Sequence, residues 1–465
     1  MNGLFGPDVS AGKAKPPNPI KLDPGTAHPK MGDSCTPSAL DAAAAKAKPI
    51  TAGQATKIGG QYAGLKLVTC VKRGDTGSGG RAARAARDAA LTSARRAAPG
   101  ALRAPHDAMA ALKVRKNGNP QPKQVLPIPD WCYEHVDDGW WGFRTSMCEI
   151  SDVTVSIYII SNGEPVLIGT AKALEYGYAY TSDLIDRFAF QLTVTKYWGE
   201  RAGNSPLAEV DGTAFCFDDC KPDGGSVRLQ PGRFQNDVRN DGDSFWLSTR
   251  SEPGGIGYPT PEWEYNVTYL GAVPSEPAFV QPPQIRCDNA FSDDGDDSGD
   301  PGVGLRATLG AGCVFPGITP VMTYSKTGAY PTLAEHIDDA QNSGLPGKYP
   351  SGTVLTRLQD AVKKRENGTK ACPPAWARPD EKTCDEYPFR STYQGAAQTT
   401  GSARTFSWCD MDPAWNVPTG VTGPDGWSSC MIDKADNRNG GAALGAFYSS
   451  NRVLDKDPFW VEITP

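Results

Sequence analysis

Between residues 131 and 287 apolar and polar positions alternate. DVTVSIYII (152–160) puts Val153, Val155, Ile157 and Ile159 on one face; the turn residues SNGE follow, and PVLIGTAK resumes the pattern. FAFQLTVTKYW (188–198) and WEYNVTYL (263–270) read the same way. A period of two, bounded by turn signals, predicts antiparallel strands, hence an all-β sandwich or barrel domain over 131–287. No catalytic cluster stands out there.

After residue 304 the period lengthens. TLAEHIDDAQ (332–341) places Leu333, Ile337 and Ala340 on one helical face, and SGTVLTRLQDAVKKREN (351–367) predicts a second helix with a Leu355, Leu358, Val362 stripe. TFSWC (405–409) reads as a short strand, NGGAALGAFYSSNR (439–452) as a glycine-flanked helix, and DPFWVEI (457–463) as a closing strand. The expectation is an α+β domain over 305–465. Residues 1–130 are rich in Ala, Lys, Gly and Pro with few large apolar residues, which predicts a low-complexity, flexible region. Within it the Ala- and Arg-rich stretch 81–113 suits a basic helix, interrupted by Pro99 and Pro105. DNAFSDDGDDSGDPGVG (288–304) reads as an acidic linker; it lacks the glutamate that closes an EF-hand calcium loop.

A chain of 465 residues is too long for one core, and 51 Gly with 40 Pro favour loop-rich β architecture. A net charge of −6 gives no global footprint for a nucleic-acid binder, so any such contact must be local or carried by a cation. There are 12 Cys and only four His, and CFDDC (216–220) has no partner pair and no nearby His, which argues against zinc. Structural disulfides follow, and with them an oxidising compartment and a secreted chain. No run approaches the roughly 18 apolar residues of a membrane span. The N-terminus, MNGLFGPDVS, shows no charged region followed by an apolar one, so the export route is not visible.

Two stretches carry candidate chemistry. In CDEYPF (384–389), Pro388 favours extended backbone before it, and in extended backbone adjacent side chains point to opposite faces. Asp385 is expected to face a site and Glu386 to support it from the other side. In KADNRNGGAALGAFYSSNR (434–452), Asp436 and Asn437 suit either a helix N-cap or a ligand set, and Gly440-Gly441 allow close approach of backbone or ligand.

Taken together, CDEYPF…YQG, ADNRNGG…LGAFY and YPTLAEHIDDA (330–340) resemble the NucA/NucB-type deoxyribonucleases, from about Tyr330 to Ile463. That family carries D-E-W/Y-P, a following E-G, and D-N-R-x-G before a helix. The resemblance implies an exported endonuclease with a ββα-metal-like site, cutting DNA with a divalent cation, Mg²⁺ or Mn²⁺. It implies Asp385, Asp436 and Asn437 around the metal, with Asp385, Glu386 and Gln394 in the catalytic set. Gln394 stands where the family has its glutamate, and an amide is a poor base. The rival expectation is therefore a weak or inactive binding protein that keeps the nuclease fold. Arg390, Lys434, Arg438 and Arg452 are the candidates for phosphate contact. Cys372, Cys384, Cys409 and Cys430 are disulfide candidates, with Cys409 and Cys430 stapling an insert at 408–430 that is long for the family. His336 is expected to be a packed structural histidine. A carrier region ahead of a nuclease is also the layout of bacterial toxins, which implies an immunity or inhibitor protein as partner.

Overall fold

The computed structural model describes residues 19–22, 35–58, 60–74, 80–96, 126–204, 207–225, 228–236, 238–270, 272–274, 276–290 and 310–465. It is mixed α+β, with mostly antiparallel sheets. Two compact units emerge, one built from Pro19–Asn289 with Gly310–Ile318, the other from Thr319–Pro465.

Besides a small third sheet of Ile256–Gly257, Arg286–Asp288 and Gly312–Val314, the larger unit has two main sheets that share a core. One runs through long antiparallel strands, Ser146–Ser161, Glu164–Tyr180, Arg187–Arg201 and Arg239–Ser248. The other centres on Ala208–Phe217 paired with Thr260–Tyr269. The alternating residues Val153, Val155, Ile157, Phe190 and Leu192 of the first sheet share a core with Trp263, Tyr265 and Val267 of the second. Trp263 Nε1 donates to the Phe190 carbonyl at 3.0 Å, so even the polar edge of this large ring is satisfied between the layers. The first sheet ends on different strands, Ile20–Leu22 and Cys220–Gly225, so it does not close into a barrel.

Two boundaries differ from the sequence expectation. Residues 35–58, 60–74 and 80–96 belong to the larger unit rather than to a flexible region; 97–113 of the basic stretch, like 1–18, 23–34 and 114–125, lie outside the described residues. Lys66–Arg73 pairs with Ser146–Ser161, burying Leu67, Val68, Cys70 and Val71, and Cys70 is bonded to Cys35. The basic helix Gly80–Arg96 docks through Ala83, and its Arg87 pairs with Asp137 and Asp152. The second correction concerns the acidic linker. Residues 291–304 of it lie outside the described residues, but the chain beyond returns to the same unit. Arg286–Asp288 pairs antiparallel with Gly312–Val314, and Cys287 is bonded to Cys313. The smaller unit therefore begins near Thr319, not at 305.

In the smaller unit the elements, labelled here in chain order, are β1 (Val321–Ser325), α1 (Pro331–Asn342), β2 (Leu355–Thr356), α2 (Ala361–Ala371), β3 (Lys382–Tyr387), β4 (Ala403–Arg404), β5 (Trp427–Asp433), α3 (Lys434–Ser450) and β6 (Pro458–Thr464). They form two three-stranded sheets, β1-β6-β2 and β3-β5-β4. The helix expected over 351–367 starts ten residues late, at Ala361, because Asp360 caps it by accepting the Lys363 N–H. Leu355 lies instead in β2, paired with Phe459, and Val362 is exposed. TFSWC is a turn rather than a strand; the strand ends at Arg404.

All 12 cysteines are paired: Cys35–Cys70, Cys132–Cys148, Cys216–Cys220, Cys287–Cys313, Cys372–Cys384 and Cys409–Cys430. Six disulfides fit a chain that matures in an oxidising compartment. Among the described residues no helix is long and apolar enough to cross a membrane.

Candidate active site

β3 and β5 are antiparallel, with Asp385 opposite Cys430 and Tyr387 opposite Ser428. β5 runs into α3 without a connecting residue, since the strand ends at Asp433 and the helix begins at Lys434. Asp433 makes that junction possible: its carboxylate accepts the N–H groups of Ala435 and Asp436, two of the donors a helix start leaves unpaired. A strand–strand–helix unit is thus assembled around the two motifs singled out in the sequence.

The adjacent acids diverge, as extended backbone requires. Asp385 is buried, and its Oδ2 lies 2.6 Å from His336 Nδ1 on α1. The other ring nitrogen, Nε2, lies 2.9 Å from Ser428 Oγ on β5, and Ser428 Oγ is 3.3 Å from the Tyr387 carbonyl. His336 and Ser428 are fully buried. Glu386 faces the other way, where its Oε1 accepts the Arg390 N–H at 3.3 Å. Burial, with Asp385 close by, pushes the Glu386 carboxyl up to about 7, against the opposing pull of Arg390.

On α3, Asp436 and Asn437 play different parts. Asp436 Oδ2 accepts from the backbone N–H of Thr332 at 2.9 Å and from its hydroxyl at 2.7 Å, so this carboxylate caps the start of α1. The cap of α3 itself is Asp433, not the Asp436-Asn437 pair. Asn437 Nδ2 donates to the Cys384 carbonyl at 3.0 Å, which anchors the amide beside the residue preceding Asp385. Gly440 allows close approach as expected, and the neighbour is protein: a Cβ there would lie 2.1 Å from Leu333 Cδ2 of α1.

Of the three residues expected around a metal, Asp436 turns its Oδ2 to Thr332 of α1, while Asn437 is anchored beside Asp385. Among the described residues no group of three His, Cys, Asp or Glu is arranged to hold a metal. Asp385 Oδ1 and Asn437 Oδ1 make no hydrogen bond to described residues, so two oxygens on neighbouring segments remain. A donor set this small suits Mg²⁺ or Mn²⁺, which keep several positions for water and phosphate.

Other expected site residues lie elsewhere. Gln394 is clamped on β2: its Oε1 accepts the Thr356 N–H at 2.9 Å and its Nε2 reaches Thr356 Oγ1 at 3.2 Å. It is a strap between a loop and a strand, not a member of the Asp385 cluster. Arg452 is fully buried and cannot meet a phosphate. Arg390 is half-buried on the Glu386 side. Lys434 and Arg438 are exposed on the first turn of α3. Cys384 and Cys430, flanking Asp385 along and across the ladder, are disulfide-bonded to Cys372 and Cys409.

Ser428 carried no signal in the sequence. His336 did: it shares the helical face of Leu333 and Ala340, and a histidine on an apolar face needs partners for both ring nitrogens. The chain matches no protein-family model, no curated protein and no solved structure.

Proposed function

We propose that the smaller unit hydrolyses DNA phosphodiester bonds, as the nuclease end of an exported chain. The observation that carries this reading is the half-used carboxylate of Asp385. It sits on the first strand of a strand–strand–helix unit, with one oxygen held by His336, the other unbonded, and Asn437 anchored next to it. A divalent cation, Mg²⁺ or Mn²⁺, would be held through Asn437 Oδ1 and through water that Asp385 Oδ1 orders, where it would supply neutralising charge for the phosphate and a more acidic water.

The chain's own residues then have distinct tasks. Asp385 Oδ1 takes up the proton of the attacking water, a role for a carboxylate within hydrogen-bond reach. Asn437 presents an uncharged oxygen that does not compete for that proton. Lys434 and Arg438 offer exposed positive charge to the phosphate backbone near the start of α3. Gln394 is not asked to act as a base, so its amide in place of a glutamate does not count against activity.

The test is nicking of supercoiled plasmid by the full oxidised chain with Mg²⁺, Mn²⁺ or EDTA, beside an Asp385→Ala variant. Cleavage that needs the cation and vanishes in the variant is expected. A folded native chain that leaves the plasmid intact with either cation would overturn the reading.

A further inference from the structure

We propose that His336 is a positioning residue for Asp385, and that Ser428 fixes the imidazole that does the positioning. This rests on the nuclease reading and adds to it the two groups that hold the reacting carboxylate in place.

Three elements meet in this chain of contacts. Asp385 comes from β3, His336 from α1 and Ser428 from β5. The imidazole has a partner at each nitrogen, 2.6 Å at Nδ1 and 2.9 Å at Nε2, so a ring flip would break both contacts. As a carboxylate can only accept, Nδ1–H donates to Oδ2. That bond is charge-assisted and lies away from water, which makes it short and strong. It fixes the carboxylate plane, and with it the direction of Oδ1. Ser428 lies opposite Tyr387, two residues along β3 from Asp385, so its hydroxyl is tied to the same strand that carries the carboxylate. The ring edge also meets Phe406, with centroids 6.1 Å apart, and Ile337 and Leu333 pack the same helix face.

A histidine that only filled the core would be served by any partner. Here Nδ1 meets the carboxylate of Asp385, whose other oxygen makes no hydrogen bond to described residues, and Nε2 is tied through Ser428 to the Tyr387 carbonyl of the same strand. Burial also means that His336 does not touch the substrate: it acts through Asp385.

Two measurements on the full oxidised chain test this. With four histidines in the sequence, ¹⁵N-histidine labelling gives few imidazole signals to assign. One imidazole N–H resonance should be shifted far downfield, protected from exchange, and lost in Asp385→Ala. In steady-state cleavage, His336→Leu should lower kcat by about 100-fold with KM nearly unchanged, the loss typical of a misplaced reacting group. His336→Asn keeps a donor near the Nδ1 position and should recover part of that. Ser428→Ala should lower kcat by about tenfold, as loss of one supporting hydrogen bond does. Rates are taken per folded molecule, so that lost stability does not pass for lost catalysis. Unchanged kcat in Ser428→Ala and in folded His336→Leu, or no protected downfield signal in the native chain, overturns the inference while native cleavage keeps the nuclease reading intact. If His336→Leu does not fold, Ser428→Ala and the native spectrum decide. A native chain that does not cut overturns the nuclease reading itself.

Discussion

Two buried acids, one in each unit, show how differently the same side-chain chemistry is used. In the sandwich, Glu175 is fully enclosed between the sheets. Arg73 lies 2.6 Å away, and the Tyr265 hydroxyl donates to it at 2.6 Å. Arg73 also meets Glu149 at 2.8 Å and Ser151 at 3.1 Å. Burial raises the Glu175 pKa and Arg73 pulls it back, so the acid and the base hold one another. Asp385 has a single partner on one oxygen and none on the other. An acid engaged at both oxygens, by an ion pair on one and a hydrogen bond on the other, specifies packing. A half-open one keeps a reactive group in a set orientation with something left to do.

The contrast is tested most sharply by removing one member from each network. Asp385→Ala should abolish plasmid nicking per folded molecule, a drop of at least about 100-fold expected when a general base is lost, and should also cost the smaller unit about 1–3 kcal/mol, since the buried His336 N–H loses its acceptor. Arg73→Met should touch stability alone. It leaves Glu175 enclosed without its counter-charge, which should cost the larger unit about 3–5 kcal/mol, read from its urea midpoint, with cleavage per folded molecule unaffected. If Arg73→Met reduced cleavage as Asp385→Ala does, the division into a packing acid and a working acid would fail.

The sequence made these two places legible to different degrees. Strand 263–270 announced itself because one face is buried and the other only half-buried; in 152–160 and 188–198 both faces are largely buried, but one carries Val153, Val155, Phe190 and Leu192 and the other Asp152, Thr154, Gln191 and Thr193, so the period of two survives in the residue types. The Lys66–Arg73 strand was hidden by the small, polar residues around it; what holds it is the long-range pairing with 153–160 and the bond from Cys35 to Cys70. The return of the chain at 312–314 was hidden for the same reason, since only the partner strand reveals the pairing. In the smaller unit, the divergence of Asp385 and Glu386 followed from extended geometry alone. The separate duties of Asp433, Asp436 and Asn437 did not, because three polar residues at a helix start look alike until the neighbouring helix supplies Thr332. Arg452 misled for a similar reason: charge suggests exposure, and only the folded chain encloses it.

A smaller effect separates two neighbouring glycines of α3. Gly440 sits where α3 crosses α1, and an added Cβ would be 2.1 Å from Leu333 Cδ2, whereas at Gly441 nothing lies within 4 Å. Gly440→Ala should destabilise the smaller unit by about 1–3 kcal/mol through overpacking. Gly441→Ala should leave it unchanged or stabilise it by up to about 1 kcal/mol, the usual helix gain over glycine. Thermal unfolding of the two variants checks this. Equal losses would mean that the close contact of α1 and α3 is not what Gly440 provides.

The smallest effect concerns Glu386, the acid that faces away from His336. Burial, and then the charge of Asp385, raise its carboxyl from the ordinary 4.5 to about 7. The folded chain therefore binds this proton more tightly than the unfolded chain does. The contribution to stability is fully present below pH 4.5 and is lost as pH rises through about 7, since there the native state must carry a half-buried charge beside Asp385. The smaller unit should accordingly have a higher urea midpoint at about pH 5 than at about pH 8 from this group alone. Glu386→Gln removes the ionisation while keeping an oxygen to accept the Arg390 N–H, so its midpoint should vary less with pH across that window. The same substitution should leave cleavage per folded molecule within a few-fold of native, because Glu386 lies on the opposite face of β3 from Asp385. A loss as deep as that of Asp385→Ala would make the two acids one working pair and end the distinction between the faces of this strand.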